Sequence, residues 1–224
     1  ALLHENTNFG TATSIAQKRT LHQYGIEVCA DAGYSSQGAK DLGPVVRRVL
    51  ASKPDAILTV TYLNDSILIF REFARLGVKI PVVDTAGGTV SPEFIPRMGS
   101  LSENILTSAE FSKYTDEGRE LNRRFNTRYG KDITGDSAYA YQSLWVLRDS
   151  IERAGTTGSR RLRDSIAATD MTVSDRMILP AERIRFDSRG QNEYARLFIV
   201  QIQQGEYIPV WPENFAAGNV KIER

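Results

Sequence analysis

Hydrophobic and polar positions along the first half of the chain follow two alternating regimes. Short runs rich in Val, Ile, Leu and Thr read as strands, at residues 1–4, 26–32, 56–62, 80–84 and 104–108. Longer segments between them carry apolar residues at helical spacing. Residues 11–24 place Ala12, Ile15, Ala16 and Leu21 near one face, 42–52 place Val45, Val46, Val49 and Leu50, and 65–76 place Leu68, Ile69, Phe73 and Leu76. Asn64 and Ser91 stand where N-caps belong, and Pro92 suits a first helical position. Gly25 and Gly77 stand where helices close in the left-handed region. Strand and helix alternating in this way predict an α/β fold, a parallel sheet with helices on both faces.

The second half follows a different pattern. Residues 117–129, 137–154 and 159–168 read as three helices, punctuated by Gly130, Gly135, Gly155 and Gly158. Strands then return at 183–186, 196–203 and 207–210, with Gln204-Gly205 as a tight hairpin between the last two. The set Tyr141, Leu144, Leu147 and Ile151 is too apolar for a helix face in water. The strands already counted belong with their own helices, so part of this half is expected to lack its partner layer.

Composition narrows the function. Apolar residues make up 41% of the 224 and charged residues 25%, which excludes a disordered chain. The 28 Lys and Arg against 27 Asp and Glu give a net charge of +1, without the basic excess of a nucleic-acid binder. No window reaches the roughly 18 to 20 apolar residues that span a bilayer. The chain starts at Ala1 with neither Met nor signal peptide, so it is expected to be cut from something longer. The single Cys29 lies in an apolar run and is expected to be a buried, inert thiol. One Cys and two unclustered His build no conventional zinc site, so no metal or cofactor is expected. The stretch Gly33-Tyr-Ser-Ser-Gln-Gly-Ala-Lys40 fails as a phosphate loop, because Ala39 separates Gly38 from Lys40 and Asp41 follows. No Gly-x-Ser-x-Gly elbow occurs.

Ligands of open parallel sheets bind outside the carboxyl ends of the strands. Five such ends are legible, at residues 4–10, 34–36, 62–65, 84–88 and 108–111. They supply rings, hydroxyls, amides and glycine N–H groups but no defined acid, base and nucleophile. That set favours binding a small organic ligand over catalysis.

The order of segments resembles the periplasmic solute-binding proteins of branched-chain amino acid ABC transporters, with the type I binding-protein fold. The resemblance is carried by residues 1–10 (ALLHENTNFG), 34–41 (YSSQGAKD), 53–58 (KPDAIL), 76–83 (LGVKIPVV), 125–130 (FNTRYG), 138–141 (AYAY) and 184–190 (IRFDSRG). It implies a two-lobed protein without enzymatic activity that closes on an amino acid, amide or aromatic acid and docks on an ABC permease, in the periplasm or lipid-anchored outside the cytoplasm. It divides the chain into a ligand-binding lobe at 1–107, the helical part of the other lobe at 108–180, and a hinge crossing with return strands at 181–224. The strand ends and the resemblance together place ligand contacts at Asn8, Phe9, Tyr62, Asn64, Asp84, Ala86 and Gly87. Phe9 matches a Tyr or Phe that touches ligand, and Tyr62 a ring near its ammonium group or side chain. Ala86 stands where amino-acid binders often carry an acid, which Asp84 would replace, so an aromatic or other carboxylate ligand stays open. The family's opening segment, whose Ser and Thr groups grip the ligand carboxylate, is absent, so weak binding is expected, with self-association through the uncovered helical face. The competing readings are a ligand-sensing receptor domain, distinguished by a membrane helix beyond Arg224, and a small α/β enzyme relying on His4 or Asp84.

Overall fold

The computed structural model describes residues 1–172 and 177–222. The chain divides into two units: residues 1–108, 199–210 and 216 onward form the first, and residues 109–198 with 211–215 the second. In the first unit, strands β1 (Leu2–Glu5), β2 (Asp31–Tyr34), β3 (Ile57–Val60), β4 (Val82–Asp84) and β5 (Leu106–Ala109) alternate with helices α1 (Asn8–Gln23), α2 (Gly43–Ala51), α3 (Leu63–Arg75) and α4 (Phe94–Met98). The five strands are parallel, in the order β2-β1-β3-β4-β5. The second unit contains α5 (Asp116–Tyr129), α6 (Gly135–Ala154), α7 (Ser159–Ala167) and an antiparallel pair, β6 (Asp170–Thr172) and β7 (Arg183–Arg185). The chain then returns through β8 (Phe198–Gln203) and β9 (Glu206–Trp211), which extend the large sheet beyond β5. Gln204 and Gly205 both take positive φ, 55° and 75°, as a two-residue hairpin turn requires. Among the described residues no helix is long and apolar enough to cross a membrane.

The first unit is held by apolar residues on strands and covering helices. Leu3, Ile57, Val46, Val49, Ile69 and Phe94 are all fully buried in one cluster. Phe70 meets Phe73 and Phe94 edge-on, with centroids 5.7 and 5.9 Å apart. In the second unit Thr115 and Thr134 cap α5 and α6 by accepting the amides of Gly118 and Ser137. Gly130 and Gly155 close those helices in the left-handed region, where a side chain would be strained.

Several elements differ from the sequence expectation. The second strand is Asp31–Tyr34 rather than 26–32, because these four residues pair in register with Leu2–Glu5. Gly25 turns the chain out of α1, and Ile26 is left exposed. Cys29 is therefore exposed, not buried, with its Sγ 3.4 Å from the Ser52 hydroxyl. Helix α1 presents Gly10, Ser14 and Gln17 inward, while Ala12, Ile15 and Ala16 face out. Its rotation is set by polar anchors: Ser14 donates to Asp31 and Gln17 to Thr85. Helix α3 begins one residue before Asn64, and α4 begins at Phe94 with Glu93, not Ser91, at its cap. Strand β7, expected among the returning strands, pairs with β6 instead. On α6, by contrast, Leu144 and Leu147 of the face expected to lack a partner layer are exposed.

Two stability effects follow. Phe94→Ala removes a fully buried ring and should lower the unfolding free energy in urea by about 3–5 kcal/mol, while Leu144→Ala on the exposed face should stay within roughly 0.5 kcal/mol. Thr134→Ala should cost about 1 kcal/mol through the lost cap, read by the same denaturation.

Candidate functional site

The strand order reverses between β1 and β3: the chain leaves β1 toward β2 on one side and crosses back to β3 on the other. Such a switch point opens a crevice at the carboxyl ends of the two strands. Phe9 follows the end of β1 and Tyr62 the end of β3. Both rings are about half exposed, and their centroids lie 6.2 Å apart at 36°. Two aromatic rings thus follow the ends of the two strands between which the order reverses. Asn8 is exposed beside Phe9 at the first turn of α1, and Asn64 is exposed beside Tyr62 at the first turn of α3. Gly87 is exposed on the β4 loop, with nothing within 4 Å of where its Cβ would stand.

Three carboxyl groups lie beneath this edge, turned inward. Glu5 is wholly buried and accepts the amides of Thr7 and Gly10 and the Thr7 hydroxyl. It fills the N-terminus of α1, where backbone N–H groups lack helical partners. Gly10 is required there, since a Cβ would lie 2.1 Å from the Glu5 carbonyl oxygen. Asp65 accepts the Tyr62 amide at 3.1 Å and the Tyr34 hydroxyl at 2.6 Å. Burial, and then this bond to Asp65, push the Tyr34 phenol above the ordinary tyrosine range.

Asp84 is the third. Its Oδ1 accepts the hydroxyls of Thr59 and Thr61, both at 2.9 Å. Its Oδ2 accepts the Thr89 hydroxyl at 2.9 Å and the Thr89 amide at 3.3 Å. Burial pushes this carboxyl up to about 7, while the hydroxyls of Thr59, Thr89 and Thr61 pull the other way. The Thr89 hydroxyl also lies 2.8 Å from that of Thr107 on β5, and its carbonyl accepts the Tyr207 hydroxyl of β9.

The residues expected from sequence therefore separate into two groups. Asn8, Phe9, Tyr62, Asn64 and Gly87 line the edge, and Ala86 lies just beneath it, 9% exposed. Asp84 does not reach the surface: it is 0% exposed with both oxygens engaged by threonines, so it does not replace the acid missing at position 86. Asn64 is not the cap of α3; Asp65 takes the Tyr62 amide, and the Asn64 side chain accepts from Arg97 at 3.2 Å. Sequence reasoning missed Glu5, Asp65, Arg97 and the threonines around Asp84. The recurrence of Thr at positions 59, 61, 89 and 107 beside lone acids was the available signal. Gly88 is required by a close approach: a Cβ would lie 2.4 Å from Thr61 Oγ1 and 2.8 Å from the Tyr62 carbonyl oxygen.

His4 is buried with its Nε2 3.1 Å from Asp31, and His22 is exposed on α1. Among the described residues no group of three or more His, Cys, Asp and Glu is placed to hold a metal ion. In the second unit, Glu110 lies against the start of α6, where a Cβ on Gly135 would meet its Oε2 at 2.3 Å. Burial, and then the charge of Asp136, raise its carboxyl above the usual range.

Residues 1–206 match the family model described as periplasmic binding protein. A Leu/Ile/Val-binding protein homolog 7 of Brucella melitensis is 20% identical over 232 residues, 99% of this chain and 57% of the relative. The chain thus spans somewhat over half the length of the curated relatives it matches. The crystal structure of a leucine binding protein, LivK, from Thermotoga maritima superposes with a TM-score of 0.78 at 20% identity, covering 92% of this chain and 58% of that one. LivJ from Streptococcus pneumoniae, solved in complex with isoleucine, superposes with a TM-score of 0.73 at 18% identity, covering 92% and 57%. With its parallel sheet, its switch-point edge and a family match over nearly its whole length, this chain belongs to the periplasmic binding protein family.

Proposed function

We propose that the protein is an extracytoplasmic solute-binding protein that captures a small organic ligand, an amino acid of the branched-chain type, for delivery to an ABC importer in the membrane. The single observation that carries this reading is the pair of half-exposed rings, Phe9 and Tyr62, at the switch point of the parallel sheet. Exposed rings over a topological gap offer apolar contact to an aliphatic or aromatic side chain, and the amides of Asn8 and Asn64 flank them with polar groups. The names of the relatives point the same way: Leu/Ile/Val-binding for the curated proteins and isoleucine for the LivJ complex. The role is binding, with no reaction: the buried acids are committed to hydroxyls and backbone amides, and among the described residues no nucleophile stands beside a base at the edge.

One observation favours a second ligand class. Position 86 is a small buried alanine and Asp84 is turned inward, so neither position offers an ammonium group an exposed acid beside the rings. Aromatic carboxylates, which carry no ammonium group, suit such an edge.

Titration of the chain with millimolar L-isoleucine and with phenylacetate, followed by the ring resonances of Phe9 and Tyr62, tests both ligand classes. Saturable shifts of both rings are expected with at least one probe, and Tyr62→Ala should weaken that binding roughly fivefold or more while leaving the fold's spectrum intact. Unshifted rings with every probe would overturn the binding reading of this edge.

A further inference from the structure

We propose that the second unit carries a separate binding site for an apolar monocarboxylate, in the cavity lined by α6, α7 and β7, with Gln142 and Arg196 holding the carboxylate. The inference does not rest on the reading of the switch-point edge, since every residue it uses belongs to the second unit.

Helix α6 lines this cavity with Tyr139, Gln142, Ser143, Val146 and Leu147, positions three and four apart that share one face of a helix. Ile166 of α7, Met177, Ile184 of β7 and Phe186 supply the apolar wall around them. The cavity holds about 440 Å³, within the roughly 300 to 1,000 Å³ of small-molecule sites. Two polar side chains of its lining decide what it can recognise.

Gln142 is the first. It is 3% exposed, in the middle of a largely apolar stripe. Its Oε1 accepts the Ile178 amide at 3.1 Å. A backbone amide can only donate, so this bond fixes which end of the side chain faces Ile178. The Nε2 group is left buried, with no partner among the described residues. A buried donor without an acceptor is costly, and a ligand oxygen that accepts from it recovers that cost.

Arg196 is the second, exposed and the only charged residue of the lining. Its neighbours in the chain are paired: Arg183 with Asp170, Arg185 with Glu193 and Arg189 with Asp187. The Arg196 guanidinium donates to the Ala195 carbonyl at 3.1 Å and meets no carboxylate among the described residues. Asn192, the other amide of the wall, is already engaged: its Oδ1 accepts the Tyr194 amide at 3.2 Å. Negative charge is matched at Arg196 and disfavoured at Tyr139, on which the acids Glu110 and Asp136 act. Water is a poor occupant, because a buried water needs roughly two to four polar partners and most of this wall offers none. A fatty-acid-like monocarboxylate meets each demand: its hydrocarbon covers the apolar wall, and its carboxylate accepts from Gln142 and pairs with Arg196.

Sodium octanoate is the probe, titrated into the full chain and followed by calorimetry and by the methyl resonances of Ile166, Met177 and Ile184. Saturable one-to-one binding is expected, with these methyls shifting and the rings of Phe9 and Tyr62 unmoved. 1-Octanol, the same hydrocarbon without the carboxylate, should bind roughly tenfold more weakly or worse. Gln142→Glu keeps an oxygen for Ile178 and puts an acceptor in place of the donor, so it should weaken octanoate by about tenfold or more. In case that variant does not fold, Arg196→Gln, a change at an exposed position, should weaken octanoate by a similar factor and leave 1-octanol binding as it was. Equal affinity for the two probes, octanoate binding that Arg196→Gln leaves intact, or shifts that never saturate overturn the carboxylate site. A second copy seated on the cavity, seen as a concentration-dependent mass in sedimentation that octanoate does not reverse, overturns it too. Octanoate that shifts the rings of Phe9 and Tyr62 while the three methyls stay still overturns this site and assigns the probe to the switch-point edge.

Discussion

A carboxyl group taken out of water keeps its place only when hydrogen-bond donors replace the water it loses. The first unit buries three of them, Glu5, Asp65 and Asp84, in a row beneath one edge of its sheet. Each is satisfied by the start of the loop or helix that follows a strand: Glu5 by the beginning of α1, Asp65 by the Tyr62 amide and the Tyr34 hydroxyl, Asp84 by the threonines of β3 and of the β4 loop. Moving any of these loops leaves a buried charge or acceptor unmatched, which costs more than the bond itself contributes. The backbone under the exposed rings of Phe9 and Tyr62 is held from below.

This constraint also explains which features were legible in sequence. Parallel-sheet architecture followed from strand and helix periodicities, since apolar residues such as Leu3, Ile57, Val46 and Phe73 sit where their spacing puts them. Hairpin chemistry at Gln204-Gly205 and helix ends at Gly25, Gly77, Gly130 and Gly155 were equally readable, because positive φ is a local demand. Misplaced features depend on partners distant in the chain. The face of α1 is chosen by Asp31 and Thr85, which no helical wheel contains. The second strand is placed by its register with Leu2–Glu5, not by its own apolar run, and Cys29 falls outside it for that reason. Asp84 carried a signal in sequence, an acid at a strand end, but not its direction. Only the threonines at 59, 61 and 89 show that it points inward.

The chemistry of the edge follows from this division of labour. Polar residues that a ligand would be expected to meet are committed to the scaffold, and Arg97 engages Asn64. What stays exposed is largely apolar: two rings and a glycine backbone, with asparagine amides beside them. Residues 1–206 match the periplasmic binding protein family, and the fold superposes on those of LivK and LivJ.

Ligand contact is proposed to occur at the ring pair of the switch point. Nuclear Overhauser contacts between protein and the methyl groups of millimolar L-isoleucine, or the ring protons of phenylacetate, test it most directly. The account predicts cross-peaks from the bound probe to the rings of Phe9 and Tyr62 and to the Gly87 α-protons. Cross-peaks confined to side chains of the second unit, such as Leu144 or Leu147, would contradict it.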